Sequence, residues 1–328
     1  MTKQRNIFEE RLTIQPYEYP HLLPFTKAIF SAFWYSDHFT YSRDVRDFKI
    51  ELTPNERQVV ERCMLAIGVV ENKVKTFWGR LEQRMPKTEI SDVGFVFSGN
   101  EVVHRQTYER LLNELDLQDK FDEVLDIPCM QGRTQYLKKY LQGVNSRSNK
   151  EFTKSLILFT LLIENCSLFS QFLIVSAFGK YKNVLKNFSK VINATAREEI
   201  LHGKFGAELI NIIKEENPEW FDDEMEQKIR RAIRKAYRAE VEVLEWIFEG
   251  GELDFISKDE VEEFLKSRLN DSLNQIDYAD EYEIDESLLE KSDYLERMLL
   301  ATKDFDFFDG KASDYNTGKA FTEDELWD

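Results

Sequence analysis

Glu101-Val102-Val103-His104 and Glu199-Ile200-Leu201-His202 repeat one four-residue pattern in distant parts of the chain, and their reading decides the fold. On a helix, residues three apart share a face, so each pair aims a carboxylate and an imidazole at one point. The chain holds four histidines, and these motifs use two of them. Two further acids interrupt apolar helical stretches: Glu71 in AIGVVENKV and Glu164 in FTLLIENCSLF. Charged groups buried in such surroundings need partners or a cation. Four carboxylates and two imidazoles suit two first-row transition metals, with positions left open for an oxidant. Zinc more usually takes three or four ligands, and calcium avoids imidazole, so iron or manganese is the natural reading. Either motif alone reads as readily as a surface acid beside a satisfied core histidine. The four positions together point to a dinuclear site in a helical bundle.

Composition fits that reading. Across 328 residues there are seven prolines, and only Pro86 and Pro128 fall between Pro54 and Pro218, which leaves room for long helices. A net charge of −17 argues against nucleic acid or an anionic membrane surface as partner. Cys63, Cys129 and Cys166 form no CxxC and no even-numbered framework, as reduced thiols of a cytoplasmic protein do. The start, MTKQRNIFEERLT, has no apolar core of a signal peptide. The most apolar stretch, 156–178, carries Glu164, Asn165, Ser167, Ser170 and Gln171, which are costly in lipid, so a buried bundle helix is expected rather than a membrane span.

In chain order, residues 1–20 read as an extended arm. Glu18-Tyr19-Pro20-His21 repeats the four-letter pattern, but its proline removes the helical context and with it the shared face. A helix is expected over 22–36, ending in Phe33-Trp34-Tyr35. Thr53-Pro54-Asn55-Glu56 is a capping box with proline at the first helical position, opening a helix to about residue 84. The next covers roughly 91–115 and sets Glu101, His104 and Tyr108 on one face. Two shorter helices flank Pro128. A long apolar helix runs from about Asn149 to Gly179, and a fourth long helix from about 184 to 215. Charged helices follow at 222–249, 257–277 and 286–301. The domain expectation is an arm over 1–20, a helical metal-binding domain over 21–303 and a flexible tail over 304–328.

Three segments carry a family resemblance: FSGNEVVHRQTY (97–108), ATAREEILHG (194–203) and the early FWYSD (33–37). With the order of the six metal-binding candidates and the acidic tail, the chain resembles the small (beta) subunit of class I ribonucleotide reductase. That resemblance implies an all-α, ferritin-like bundle with additional C-terminal helices, in which one Glu from each of two helices and a Glu-x-x-His from each of two others meet around two metals. It implies Glu71, Glu101, His104, Glu164, Glu199 and His202 as metal ligands. Tyr108 falls where the family holds a tyrosyl radical, and Trp34 where a long-range radical path begins. Glu198 stands where the family usually has Asp, as a group that hydrogen-bonds His104 or Trp34. Tyr315 is the relay candidate in the tail, and Phe321, Leu326 and Trp327 are the apolar anchors that dock in the large subunit.

The departures carry information too. Glu71 stands where most relatives have Asp, and Lys75 follows one turn later, close enough to touch the site or to reach solvent instead. That pair resembles a branch that runs on dimanganese activated by superoxide, in which the oxidised metals replace the tyrosyl radical. The resemblance therefore favours Mn/Mn over Fe/Fe. It also implies a homodimer, a flavodoxin-like or other superoxide-supplying activator, and a thioredoxin- or glutaredoxin-type reductant. The rival readings are a ferritin-like ligand-binding oxidase with the same six ligands, a ferritin-type metal store, and a metal-free helical scaffold.

Overall fold

The computed structural model describes residues 5–72 and 74–297, and among them no strand is present. Eight helices carry the architecture described here: α1 (Pro24–Ala32), α2 (Pro54–Glu71), α3 (Thr88–Glu114), α4 (Pro128–Leu141), α5 (Asn149–Lys182), α6 (Lys186–Glu216), α7 (Asp223–Ile247) and α8 (Lys258–Asn274). Helices α2, α3, α5 and α6 form the central bundle, with α2 against α3 and α5 against α6. Helix α1 lies on α3, while α7 and α8 pack as an outer layer against α4, α2 and α5. The fold is all-α and ferritin-like. Helix α5 is long and apolar enough to cross a membrane, but its most apolar window is wholly buried inside the bundle.

The helix starts follow local chemistry where the sequence supplies it. Thr53 and Glu56 form the expected capping box, as do Ser257 and Glu260. Ser148 accepts from Glu151 N, and Asp222 from Met225 N. Helix α6 has no cap of its own. Asn183 and Leu185 before it are left-handed (φ 64° and 53°), a strained choice for leucine. Its free N–H groups are met from a distant segment instead. Asp44 Oδ1 accepts from Asn187 N (2.7 Å) and Phe188 N (3.0 Å), and Asp47 Oδ2 from Leu185 N (3.1 Å).

Four of the expected helices differ from the sequence expectation. Helix α2 stops at Glu71 rather than near residue 84, and the chain re-forms as a short turn, Lys75–Trp78. That break lets both Phe77 and Trp78 turn into the core. Helix α1 ends at Ala32 and Phe33 is extended, so Trp34 reaches the bundle from a non-helical strap. Gly179 does not close α5, which winds on as a wide π turn to Lys182. A second π segment, Thr160–Ser167, lies in mid-helix around Glu164. In the last expected helix, the described residues form a 3-10 turn at Glu286–Leu288 and resume helix at 293–297. The tail over 304–328, with Tyr315, Phe321, Leu326 and Trp327, lies outside the described residues.

The described part of the arm is extended and tied down. Ile7 is fully buried, and Arg11 grips the buried carboxylate of Glu89 with two bonds (2.8 and 2.5 Å). Glu18 pairs with Lys87, and His21 is half-exposed, so the rejected third motif forms no ligand pair.

Because Asp44 is buried and serves two N–H groups of α6, Asp44→Ala is expected to cost about 1–2 kcal/mol. Urea denaturation measures it, with Asp44→Asn recovering most of the loss. An unchanged midpoint in the alanine variant would show that α6 starts without this cap.

Candidate metal centre

The six acid and imidazole candidates arrive on four helices and meet in the middle of the bundle. Glu71 is the last residue of α2, Glu101 and His104 sit at mid-α3, Glu164 lies in the π segment of α5, and Glu199 and His202 sit at mid-α6. None is more than 2% exposed. Their donor atoms form two overlapping groups, Glu71–Glu101–His104–Glu199 and Glu101–Glu164–Glu199–His202, with the atoms of each group within 4.8 Å of one another. Glu101 and Glu199 belong to both.

The imidazoles are oriented by what their outer nitrogens touch. His104 Nε2 lies 2.7 Å from Glu198 Oε2, and His202 Nε2 lies 3.1 Å from Asn100 Oδ1. With the proton on Nε2 facing those acceptors, each Nδ1 lone pair points inward. His104 Nδ1 stands 3.1 Å from Glu199, 3.5 Å from Glu101 and 3.8 Å from Glu71. His202 Nδ1 stands 3.0 Å from Glu101 and 3.4 Å from both Glu164 and Glu199. Neither Nδ1 has an aligned hydrogen-bond partner, nor does either oxygen of Glu71 or Glu101, nor Glu164 Oε2, nor Glu199 Oε1. Buried polar atoms without partners are rare in folded proteins. Here they converge on one volume, and four carboxylates balance the charge of two divalent cations. The donor set fits a dinuclear centre.

Without cations the cluster strains its own titration. Burial pushes Glu71 and Glu164 well above the usual carboxylate range. Burial also opposes the charged form of both imidazoles. The carboxylates of Glu101, Glu198 and Glu199 outweigh it at His104, and those of Glu101, Glu164 and Glu199 at His202, so both are raised. Glu199 is also opposed by burial, yet His104 and His202 hold it below the ordinary value.

Other sequence-selected residues fall around this core. Trp34 Nε1 donates to Glu198 Oε2 at 2.8 Å, so one carboxylate joins Trp34 to His104, and the two rings stack with centroids 5.8 Å apart. Tyr108 is buried one turn beyond His104, and its hydroxyl lies 3.4 Å from Thr195 Oγ1. Burial raises its pKa well above the ordinary value. Lys75 stands at the break after α2, half-buried, with Nζ on the carbonyl of Asn72 at 2.8 Å.

Sequence reasoning missed Trp78, whose Nε1 donates to Glu164 Oε1 at 3.0 Å, and Asn100, which orients His202. Asn100 directly precedes the first motif, which was a usable signal. Trp78 gave none, because the expected unbroken helix put no special weight on it. Trp78, Phe97 and Phe205 pack around His202 and keep that side apolar.

A pH dependence follows from these shifts. Glu71, Glu164, His104 and His202 all bind protons more tightly in the metal-free fold than in the unfolded chain. Stability of the metal-free fold therefore falls as pH rises, from about 4.5 upward for the two carboxyls and from about 6.5 upward for the two imidazoles. Glu199 acts oppositely: its contribution is present above about 4.5 and is lost as pH falls below that. Cations displace the held protons, so divalent affinity should rise over the same interval. Melting the chelator-treated protein between about pH 6 and 8, with and without Mn2+, tests this. A metal-free melting temperature that climbs with pH, with no growing gain from Mn2+, would contradict it.

Comparison with known proteins agrees with this geometry. The family model for the ribonucleotide reductase small chain matches residues 11–288. A probable ribonucleoside-diphosphate reductase small subunit of Invertebrate iridescent virus 3 is 22% identical over 327 residues, covering 95% of this chain and 86% of its own. A class I ribonucleotide reductase structure from Bacillus halodurans, described as putative, superposes with TM-score 0.77 at 18% identity, covering 85% and 99% of the two chains. The dimanganese(II) NrdF of Streptococcus sanguinis superposes with TM-score 0.73 at 14% identity (90% and 99%). An R2-like ligand-binding oxidase with a Mn/Fe cofactor gives 0.68 at 16% (79% and 94%). The structural likenesses carry the fold; the family match, spanning most of the chain and including all six residues of the buried cluster, places this protein in the ribonucleotide reductase small chain family.

Proposed function

We propose that this chain is the radical-generating small subunit of a ribonucleoside-diphosphate reductase. The observation that carries this reading is the continuous contact from the cluster to Trp34: His104 Nε2, Glu198 Oε2, Trp34 Nε1. A ligand-binding oxidase needs the metals and a pocket. It does not need a buried tryptophan wired to a metal-facing imidazole, and Trp34 therefore favours the reductase.

Glu71, Glu101, His104, Glu164, Glu199 and His202 would hold the two metals. When bound and oxidised by superoxide or dioxygen, the metal pair supplies a one-electron oxidising equivalent. The chain's own residues govern where that equivalent goes. A tryptophan that loses an electron becomes acidic at Nε1, and Glu198 Oε2 is placed to take that proton at 2.8 Å. Glu198 simultaneously fixes the His104 tautomer. Tyr108 is set differently. Its hydroxyl faces Thr195, which is no base at neutral pH, and burial opposes its deprotonation. This arrangement supports the metal pair as the store of the equivalent and Tyr108 as redox-silent, and the resemblance of the Glu71 and Lys75 pair favours manganese.

The equivalent passes to a separate large subunit, where ribonucleotides are reduced with thioredoxin- or glutaredoxin-type electrons. The small subunit acts as a cytoplasmic homodimer, docks through the tail that includes Tyr315, and receives its oxidant from a flavodoxin-like or other superoxide-supplying partner. Lys75, four residues after Glu71 with Nζ on the Asn72 carbonyl, is the cation that would attract an anionic oxidant.

Three variants test the reading. Trp34→Phe should keep its metal content and its oxidised-metal spectrum yet lose ribonucleotide reduction with the large subunit. Tyr108→Phe should retain activity. Deleting residues 311–328 should abolish activity only where the large subunit is required. Full reduction by Trp34→Phe would overturn the proposed path, and a sharp organic radical lost in Tyr108→Phe would return the equivalent to the tyrosine.

A further inference from the structure

Glu164 reaches the metal site from a segment that an ordinary α-helix would not provide. In Thr160–Ser167 the helix widens to π geometry, which adds a residue to the turn and takes carbonyls out of the regular ladder. Such a turn persists only if something holds it. Asn165, next to Glu164, is where the holding converges. Its Nδ2 donates to Thr160 O at 2.9 Å, and Gln275 Nε2 reaches its Oδ1 at 3.5 Å. Arg268 of α8 donates both Nε (3.1 Å) and Nη2 (3.0 Å) to the Asn165 carbonyl.

Arg268 is an unusual use of a cation. It is 1% exposed, its nearest carboxylate is Asp271 at 4.0 Å on a half-exposed side chain, and its guanidinium lies 4.2 Å from the Phe169 ring centroid. A buried guanidinium is costly, and a carboxylate would be its ordinary partner. Here the fork is spent on one peptide oxygen. The opposite side is closed by α6. A Cβ on Gly203 would stand 2.5 Å from Asn165 Oδ1, and one on Gly206 would stand 2.3 Å from Thr160 Oγ1. Gly203 follows His202 directly. The π turn is thus clamped between a glycine notch on α6 and a guanidinium on α8, and the clamp bears on the two residues beside Glu164 and His202.

We propose that Arg268 is a positioning residue that sets the affinity of the cation position shared by Glu164 and His202, leaving the position beside Glu71 and His104 untouched. This rests on the dinuclear reading of the cluster. It gives the outer helix α8, which contributes no residue to the cluster, a task in metal binding. The mechanism is geometric. Without the fork the Asn165 carbonyl loses its donors, the turn relaxes toward α-helix, and Glu164 rotates away from His202 Nδ1.

The test is Mn2+ titration of the full chain, following free Mn2+ by electron paramagnetic resonance, for wild type, Arg268→Met and Arg268→Lys. Wild type should bind two ions. Arg268→Met should weaken one of them by about 10–100-fold, the range for outer hydrogen-bond partners of ligands, and leave the other unchanged. Arg268→Lys restores one donor and should recover part of the loss. In a His202→Ala background Arg268→Lys should have no further effect, whereas in a His104→Ala background it should weaken the remaining ion. Equal weakening of both ions, or two wild-type affinities in Arg268→Lys and Arg268→Met, overturns the proposal. If Arg268→Met does not fold, Gln275→Ala, which removes only the side-chain hold on Asn165, must give a smaller loss confined to the same ion. A wild type that binds no pair of ions sinks the dinuclear reading instead.

Discussion

Four carboxylates and two imidazoles share one dry volume at the centre of this bundle, and the rest of the molecule is arranged to tolerate that. Like charges at such separations repel strongly in a low-dielectric interior, and desolvation adds to the cost. Protons can relieve part of it, as the raised Glu71, Glu164, His104 and His202 indicate. Two divalent cations relieve it more completely, because they meet both the charge and the inward-facing lone pairs. The surrounding structure is one of fixed hydrogen-bond partners: Trp78 donates to Glu164, and Glu198 and Asn100 accept from the outer nitrogens of His104 and His202. They turn the inner atoms toward one another and toward the volume that two cations would fill.

Much of this was legible from sequence because it is local. The three-residue spacing of Glu101 with His104 and of Glu199 with His202 needs only helical geometry. The capping boxes at Thr53 and Ser257 announce their helices in four letters. An acid inside AIGVVENKV or FTLLIENCSLF stands out against its neighbours. The elements that fold around the site were less readable. The end of α2 at Glu71 carries neither Gly nor Pro, and what stops it is the packing gained when Phe77 and Trp78 turn inward. The π turn around Glu164 has no pattern in one strand of sequence. Its contacts come from Arg268, more than a hundred residues away, and from the close approach of α6 at Gly203 and Gly206. The start of α6 lacked a cap in its own sequence because Asp44 provides it from elsewhere.

The same division separates the cluster from its use. Trp34 and Glu198 were singled out by resemblance, and the geometry joins them to His104 through one carboxylate. Tyr108 was singled out in the same way and has only Thr195 at its hydroxyl. A carboxylate beside one aromatic and a hydroxyl beside the other are different chemical situations for proton-coupled oxidation. That contrast, rather than position in the chain, is what the proposed roles rest on.

The most direct measurement is a crystal of the Mn2+-loaded protein with anomalous diffraction recorded at the manganese edge. The account predicts two peaks inside the bundle, one contacted by Glu71, Glu101, His104 and Glu199 and the other by Glu101, Glu164, Glu199 and His202. A loaded crystal with one peak or none in that volume, or with manganese held by other residues, would contradict it.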